Sequence, residues 1–369
     1  MKLIDVECSY DVVLFFTGIP ISNVHKYLAL CKKLSGFCKP LMIISNDSKW
    51  GISSEILENY YSQHLDNVVS VSNSDAFSIL NKCNYKLGVF NSNCRKYNIY
   101  SKDVEIAKSK NIKTLQISDM AGDFHYAGSD VVSYISHFFH QNLSSNSNIP
   151  CKNVIYSNCL AYEPVDACLP YSMTKVEFCD KYGLDYNKPI FLWCPAAVQC
   201  FLDDKSKEIY SKITNLENVI VKLHPNEVRG HKLELNGGKN TFQTLASSPS
   251  VLLDPIDTHW AYTHMDYMIC YTSSVGLEAA YYDKPVVYID DAENELLQFG
   301  NYGLFISGFD WVGYKIDYKD IDNFSEILNT FPEKKHQDYV NFLNRILHNG
   351  SMTSIELLCQ QILELIELR

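Results

Sequence analysis

Two short stretches of the chain carry residues suited to chemistry on a phosphate. The first is VIVKLHPNE at positions 219–227. Its apolar run stops at His224-Pro225, because proline cannot continue a central strand. His224 is therefore expected at a strand's C-terminal edge. There its imidazole can donate to a phosphate, and Lys222 adds positive charge two residues earlier. The second stretch is DYMICYTSSVGLEAAYYDKPVVYID at 266–290. Thr272, Ser273 and Ser274 are good helix N-cap residues. They follow an apolar run of strand length and precede Leu277, Glu278, Ala279 and Ala280, which Lys284-Pro285 brings to a stop. A hydroxyl cluster between a strand end and a helix start suits an anion, since free N–H groups and the helix dipole favour negative charge. Taken alone, His224 reads equally as a satisfied histidine in a turn. Glu278, one turn into the helix, reads equally as a complement to the dipole. Their conjunction, with the second motif in the next-but-one strand unit, points to an anion or nucleotide site.

A third stretch suits acid–base work. Ser118-Asp119-Met120-Ala121-Gly122-Asp123-Phe124-His125 follows the strand-like run 114–117. A hydroxyl that attacks as a nucleophile needs a carboxylate or histidine within hydrogen-bond reach. Asp119, Asp123 and His125 are the candidates, and the plain alternative is a solvated polar loop. Thr17-Gly18-Ile19-Pro20, after the first strand, and the acids Glu163 and Asp166 are the next places to look. Asp254-Pro255-Ile256-Asp257 reads as a turn.

These residues need elements to hold them. Strand-like runs at 12–17, 41–45, 68–72, 86–90, 114–117 and 131–135 alternate with amphipathic stretches such as 23–34 and 54–64. A second alternation has strands at 190–194, 219–223, 251–253, 267–271 and 286–289. Its helices are expected at 205–214, 241–246, 275–281 and 320–328, and the end of the chain, 337–347 and 354–365, is strongly helical. Alternation of this kind implies mostly parallel, doubly wound sheets. The expected architecture is α/β, with two Rossmann-like domains facing a cleft and ligands beyond the strand carboxyl ends. The expected boundaries are 1–150 for an acceptor domain, 151–188 for a linker, 189–335 for a nucleotide domain and 336–369 for helices packing back across the junction. The polar stretch QNLSSNSNI at 141–149 reads as a surface loop near that junction.

The order Lys-x-His-Pro at a strand end, then Ser-Ser-x-x-x-Glu-Ala and Lys-Pro-Val some forty to fifty residues on, resembles the C-terminal domain of GT-B glycosyltransferases. It is most similar to those using cytidine nucleotides: bacterial sialyltransferases, Kdo transferases and the glycerophosphotransferases of teichoic-acid synthesis. The segment 172–195 resembles the linker and first strand of that domain, so the resemblance covers about 172–290. It implies that His224, Pro225, Ser273 and Ser274 bind donor phosphate and nucleotide, with Lys222 and Thr272 beside them and Glu278 on the ribose. It also implies a catalytic part for His224 at the departing phosphate. The glycerophosphotransferases usually show a His-Gly pair near the 118–125 loop, and this chain does not, which favours sugar transfer.

Composition narrows the classes further. A formal charge of −11 argues against broad nucleic-acid binding, which needs a basic footprint. No apolar run reaches the length of a membrane span, and the N-terminus lacks a signal-peptide layout. Thirteen cysteines, an odd number without a CxxC pair, read as reduced buried thiols of a cytoplasmic protein. No ligand spacing for a metal is visible, since His137 and His140 lack the Glu of HExxH. No GxGxxG or Walker pattern appears, against dinucleotide oxidoreductases and P-loop enzymes. The expectation is a metal-independent glycosyltransferase without a cofactor. It would move a sugar from a nucleotide donor, CMP-linked donors being favoured, to a hydroxyl of a glycan acceptor in surface polysaccharide synthesis. Peripheral membrane association would come through the acceptor. A CDP-glycerol or ribitol phosphotransferase, a nucleotide-sugar 2-epimerase and a non-catalytic binding relic are the alternatives.

Overall fold

The computed structural model describes residues 9–46, 54–91, 101–118, 126–135, 153–194, 204–223, 251–252, 254–270, 275–290, 314–324 and 351–367, with isolated positions at 326, 337 and 341. The chain divides into two compact units, residues 1–171 with 345–369, and residues 172–344. The division falls inside the segment expected as a linker.

The first unit is built on the strands β1 (Ser9–Thr17), β2 (Pro40–Asn46), β3 (Val68–Ser72), β4 (Asn84–Asn91), β5 (Lys113–Ile117), β6 (Val131–Tyr134) and β7 (Val154–Tyr156). They form one sheet in the order β3-β2-β1-β4-β5-β6-β7, with every pairing parallel. β7 thus extends the sheet from within the segment expected as a linker. In β1 all residues from Val12 to Thr17 are buried, which is why it reads as a continuous apolar run: a central parallel strand is covered on both faces. Successive side chains go to opposite faces. Val12, Leu14 and Phe16 pack with Val24 and Leu28 of α1 (Val24–Leu34) and Leu57 of α2 (Ser54–Tyr61). Val13 and Phe15 pack with Ala76 and Leu80 of α3 (Asn73–Lys82) and Val104 and Ala107 of α4 (Ser101–Ser109).

The second unit carries β8 (Phe191–Cys194), β9 (Val219–Val221), β10 (Tyr267–Cys270), β11 (Val286–Asp290) and β12 (Tyr314–Asp317), in the parallel order β12-β11-β10-β8-β9. Val251 adds a parallel bridge to Val221 on the outer side of β9. Counting it, the order mirrors β3-β2-β1-β4-β5-β6 of the first sheet, so both units are doubly wound in the same sense. Among the described residues its α-helices include α5 (Lys175–Tyr182), α6 (Asp204–Thr214), α7 (Thr258–His264) and α8 (Val275–Tyr281). Helix α5 starts in a capping box between Thr174 and Glu177 and ends at Gly183, whose φ of 66° is the left-handed conformation that glycine adopts freely. Ile209 and Ile213 of α6 join Trp193, Val221, Ile269 and Val287 in the core.

The final helix, α9 (Ser354–Glu367), belongs to the first unit, where Leu358, Cys359 and Ile362 enter the cluster around α1. Its start is held by Glu163, whose carboxylate accepts from the Ser354 backbone N–H at 2.6 Å. The expected helices at 241–246 and 337–347 and the loop at 141–149 lie outside the described residues, apart from the isolated helical positions 337 and 341. No helix among the described residues is long and apolar enough to cross a membrane.

Candidate active site

In a doubly wound sheet the strand order reverses at a switch point, and a crevice opens there beyond the strand carboxyl ends. In the second unit the reversal lies between β8 and β10. β8 ends at Cys194 and β10 at Cys270, and these two residues are paired in register. β9 lies on the other side of β8. Lys222 follows it directly and continues the ladder by donating its N–H to the Trp193 carbonyl at 2.9 Å. Lys222 is half-buried. Helix α8 leaves from the same edge.

Glu278 is the fourth residue of α8 and is only 7% exposed. Its carboxylate accepts the Tyr262 hydroxyl at 2.7 Å, so it is held inward instead of lying on the solvent face as a plain dipole complement would. Burial first, and the nearby Glu278 charge second, raise the Tyr262 phenol well above its ordinary pKa. The phenol therefore stays a donor. Burial pushes the Cys194 thiol up to about 12; the Lys222 ammonium opposes that rise and the Glu278 carboxylate adds to it. The Cys270 thiol is raised in the same way, burial first. Both charged side chains thus act on the same two sulfurs. Lys222 follows the carboxyl end of β9, and α8, which carries Glu278, follows the carboxyl end of β10. The thiols themselves are protonated at neutral pH and are not nucleophiles.

Gly276 seats α8 against the sheet. A Cβ at this position would run into the Tyr288 hydroxyl, and would stand 2.8 Å from Tyr288 Cζ and 3.1 Å from Val286 Cγ1. Any larger residue here would force the Tyr288 side chain or the helix to move.

Lys222 and Glu278 are the expected site residues that the structure describes: Lys222 directly follows β9, and Glu278 lies in the first turn of α8. His224, Pro225, Thr272, Ser273 and Ser274 lie outside the described residues, although the strand end before 271–274 and the helix start after it are both described. Asp119, Asp123 and His125 also lie outside them. Ser118, just before, is fixed by its N–H donating to the Ser133 carbonyl at 2.8 Å, so β5 ends where the 118–125 loop was expected to begin.

The 17–20 loop follows the switch-point strand of the first unit. Gly18 sits at φ 65°. Asn91, at the carboxyl end of β4, clasps Thr17: its Oδ1 accepts the Thr17 N–H at 3.1 Å and its Nδ2 donates to the Thr17 carbonyl at 2.7 Å. Glu163 is a structural clamp. Beyond its bond to Ser354 it lies near the buried Lys26, whose ammonium donates to the Ala161 carbonyl at 2.5 Å.

Sequence reasoning missed the helix α7 and with it Tyr262. The turn at 254–257 is present: Asp254 caps it through the Ile256 N–H at 3.0 Å. It runs on into α7 instead of ending. Asp257, fully buried, accepts from the Tyr182 hydroxyl and pairs with Lys181 at 2.5 Å. The signal available was the Asp-Pro start, an N-cap followed by proline at the first helical position. Among the described residues no group of three or more His, Cys, Asp or Glu could hold a metal ion.

The class these observations define is a pair of parallel, doubly wound α/β units. No family model matches the chain, and no curated protein matches it. Solved structures do. An S. aureus MnaA–UDP co-structure is similar at a TM-score of 0.62 and 12% identity, covering 97% of this chain and 98% of that one. The wall teichoic acid polymerase TagF is similar at 0.60 and 11%, covering 97% and 89%. UDP-GlcNAc 2-epimerase from Neisseria meningitidis, bound to UDP-GlcNAc, is similar at 0.58 and 11%, covering 96% and 100%. At such identities the likeness establishes the fold, which is of the GT-B type.

Proposed function

We propose that the chain is a glycosyltransferase that moves a sugar from a nucleotide donor, CMP-linked donors being favoured, to a hydroxyl of a glycan acceptor in surface polysaccharide synthesis. The observation that supports the nucleotide part is the switch point between β8 and β10, with Lys222 just after the neighbouring β9 and the buried Glu278 in the first turn of the helix that follows β10. Lys222, His224, Pro225 and the 272–274 turn would take the donor phosphate, and Glu278 the ribose. As the acceptor oxygen bonds to the sugar carbon, the bond from that carbon to the phosphate oxygen breaks. Lys222 and His224 would neutralise the charge left on the phosphate. The acceptor proton would pass to Asp119, Asp123 or His125.

Two other readings have an observation behind them. Whole-chain likeness to the Neisseria UDP-GlcNAc 2-epimerase favours a 2-epimerase, and likeness to TagF favours a CDP-glycerol phosphotransferase. The test is incubation with CMP-, CDP- and UDP-linked donors, with and without glycan acceptors, following nucleotide release and products. The proposal expects nucleotide release only with an acceptor, and a new glycosidic bond. Conversion of a UDP-sugar without any acceptor would replace it with the epimerase reading. A phosphodiester product from CDP-glycerol would replace it with the phosphotransferase reading.

A further inference from the structure

We infer that Tyr262 is a positioning residue for the nucleotide, its phenol O–H holding the Glu278 carboxylate in the orientation that receives the ribose hydroxyls. The inference deepens the proposed function and rests on its assignment of Glu278 to the ribose.

The geometry makes the contact firm. Tyr262 is 1% exposed and Glu278 7%, and their hydrogen bond is 2.7 Å long. A hydrogen bond to an ionised acceptor is roughly twice as strong as one between neutral groups. The two residues stand on different helices, so the contact locks α7 to α8. The phenol is itself fixed from behind. Its ring lies 5.2 Å from that of Tyr282, and the Tyr282 hydroxyl is 3.0 Å from His259 Nδ1, one turn back on α7. The start of α7 is anchored in turn through the buried Asp257 to Lys181 and Tyr182 of α5.

The chemistry explains why such a device is useful. A glutamate side chain has three rotatable bonds and loses rotamer freedom when it is fixed. A carboxylate offers about four lone-pair positions. One is taken by Tyr262 on Oε2, and the rest can serve two adjacent hydroxyls of a ribose. Holding the carboxylate before the ligand arrives removes an ordering cost from binding. Tyr262 makes this hold without touching the ligand, and it keeps its proton because burial disfavours the phenolate.

The test is isothermal titration of CDP and UDP, and of their 2′,3′-dideoxy counterparts, into wild type, Tyr262→Phe, Glu278→Asp, Glu278→Gln and the Tyr262→Phe/Glu278→Gln double variant. Phenylalanine keeps the ring against Tyr282, and a thermal melt checks each fold. Wild type should bind the ribonucleotides about tenfold more tightly than the dideoxy forms, the scale of a hydrogen bond to a charged group. Tyr262→Phe should lose most of that preference while binding the dideoxy forms like wild type. Glu278→Asp, which draws the carboxylate away from the phenol, should lose it as well. Tyr262→Phe should add nothing in the Glu278→Gln background. A wild type that prefers the ribonucleotides, with a Tyr262→Phe variant that keeps the full preference, overturns the inference alone. A wild type that binds both forms equally overturns the ribose assignment and the inference with it.

Discussion

Gly276→Ala tests whether the seating of α8 sets the geometry of the site. Two opposing effects act. Alanine is the better helix former, and in a helix interior the gain over glycine is about 1 kcal/mol. Against this, the new Cβ would collide with the Tyr288 hydroxyl and come within 2.8 Å of its Cζ. Both atoms belong to a side chain on β11 that is only 6% exposed, so it has little room to swing away. Overpacking a closed site costs roughly 1–3 kcal/mol. Set against the helix gain, the collision leaves a net loss of up to about 2 kcal/mol. The assay is denaturant unfolding followed by tryptophan fluorescence. Three of the four tryptophans, Trp193, Trp260 and Trp311, belong to the second unit, so the signal reports mainly on that unit. Tyr288→Leu removes the colliding atoms. In that background the loss from Gly276→Ala should shrink, because only the 3.1 Å approach to Val286 Cγ1 still opposes the helix preference of alanine. Nucleotide affinity should fall in the single variant, since displacing α8 shifts Glu278. A Gly276→Ala protein as stable as wild type, with unchanged affinity and no coupling to Tyr288, would refute the close seating of α8.

Three further outcomes are expected. Asn91→Ala leaves the Thr17 N–H and carbonyl without their clasp; at about 1–3 kcal/mol for each buried group left unpaired, it should cost about 2–6 kcal/mol in a denaturant titration of the first unit, and a loss under half a kilocalorie would contradict the clasp. Cys194 and Cys270 in the native protein should resist iodoacetamide at pH 8, as read by mass spectrometry, because burial holds both as thiols; alkylation as fast as in urea would contradict their burial. Asp11 is held below its ordinary 3.8 first by the hydrogen bond from Lys86 and then by the Lys39 backbone N–H. Its folded pKa is depressed, so its contribution is complete above 3.8 and fades as acid carries the pH down through the folded value. The stability gap between wild type and Asp11→Asn should therefore close on acidification from pH 6 to below pH 3, and a gap that stays constant in acid would argue against the pairing.

Much of the strand framework was legible because parallel strands buried on both faces are continuous apolar runs. The run at 68–72 coincides with β3, and the helix expected at 275–281 coincides with α8. In the second case local signals agree: hydroxyl residues before the start and Lys-Pro after the end. Helix α7 was not legible from periodicity. Its sequence, THWAYTH, is rich in β-branched and aromatic residues of modest helix propensity. Packing decides it, since Trp260, Ala261 and Tyr262 are all buried. The role of Tyr262 could not be read from local pattern at all, because it depends on how α7 and α8 approach each other. Glu163 shows the same limit from the other side. As a lone acid it looked available for catalysis, but its partner Ser354 lies 191 residues away and turns it into the cap of α9. The positions of Lys222 and Glu278 in the fold were legible because each stands just past a strand or in the first turn of a helix, where sequence patterns are most direct.

If the second unit holds a nucleotide at the switch point between β8 and β10, the ligand must shield the backbone there. Hydrogen–deuterium exchange of the whole chain, with and without saturating CDP and UDP, tests this most directly. Slowed exchange is expected in peptides spanning Lys222 to Pro225 and Cys270 to Glu278, removed by the Lys222→Ala/Glu278→Gln double variant. Protection confined to peptides of the first unit, or none with any nucleotide, would contradict it.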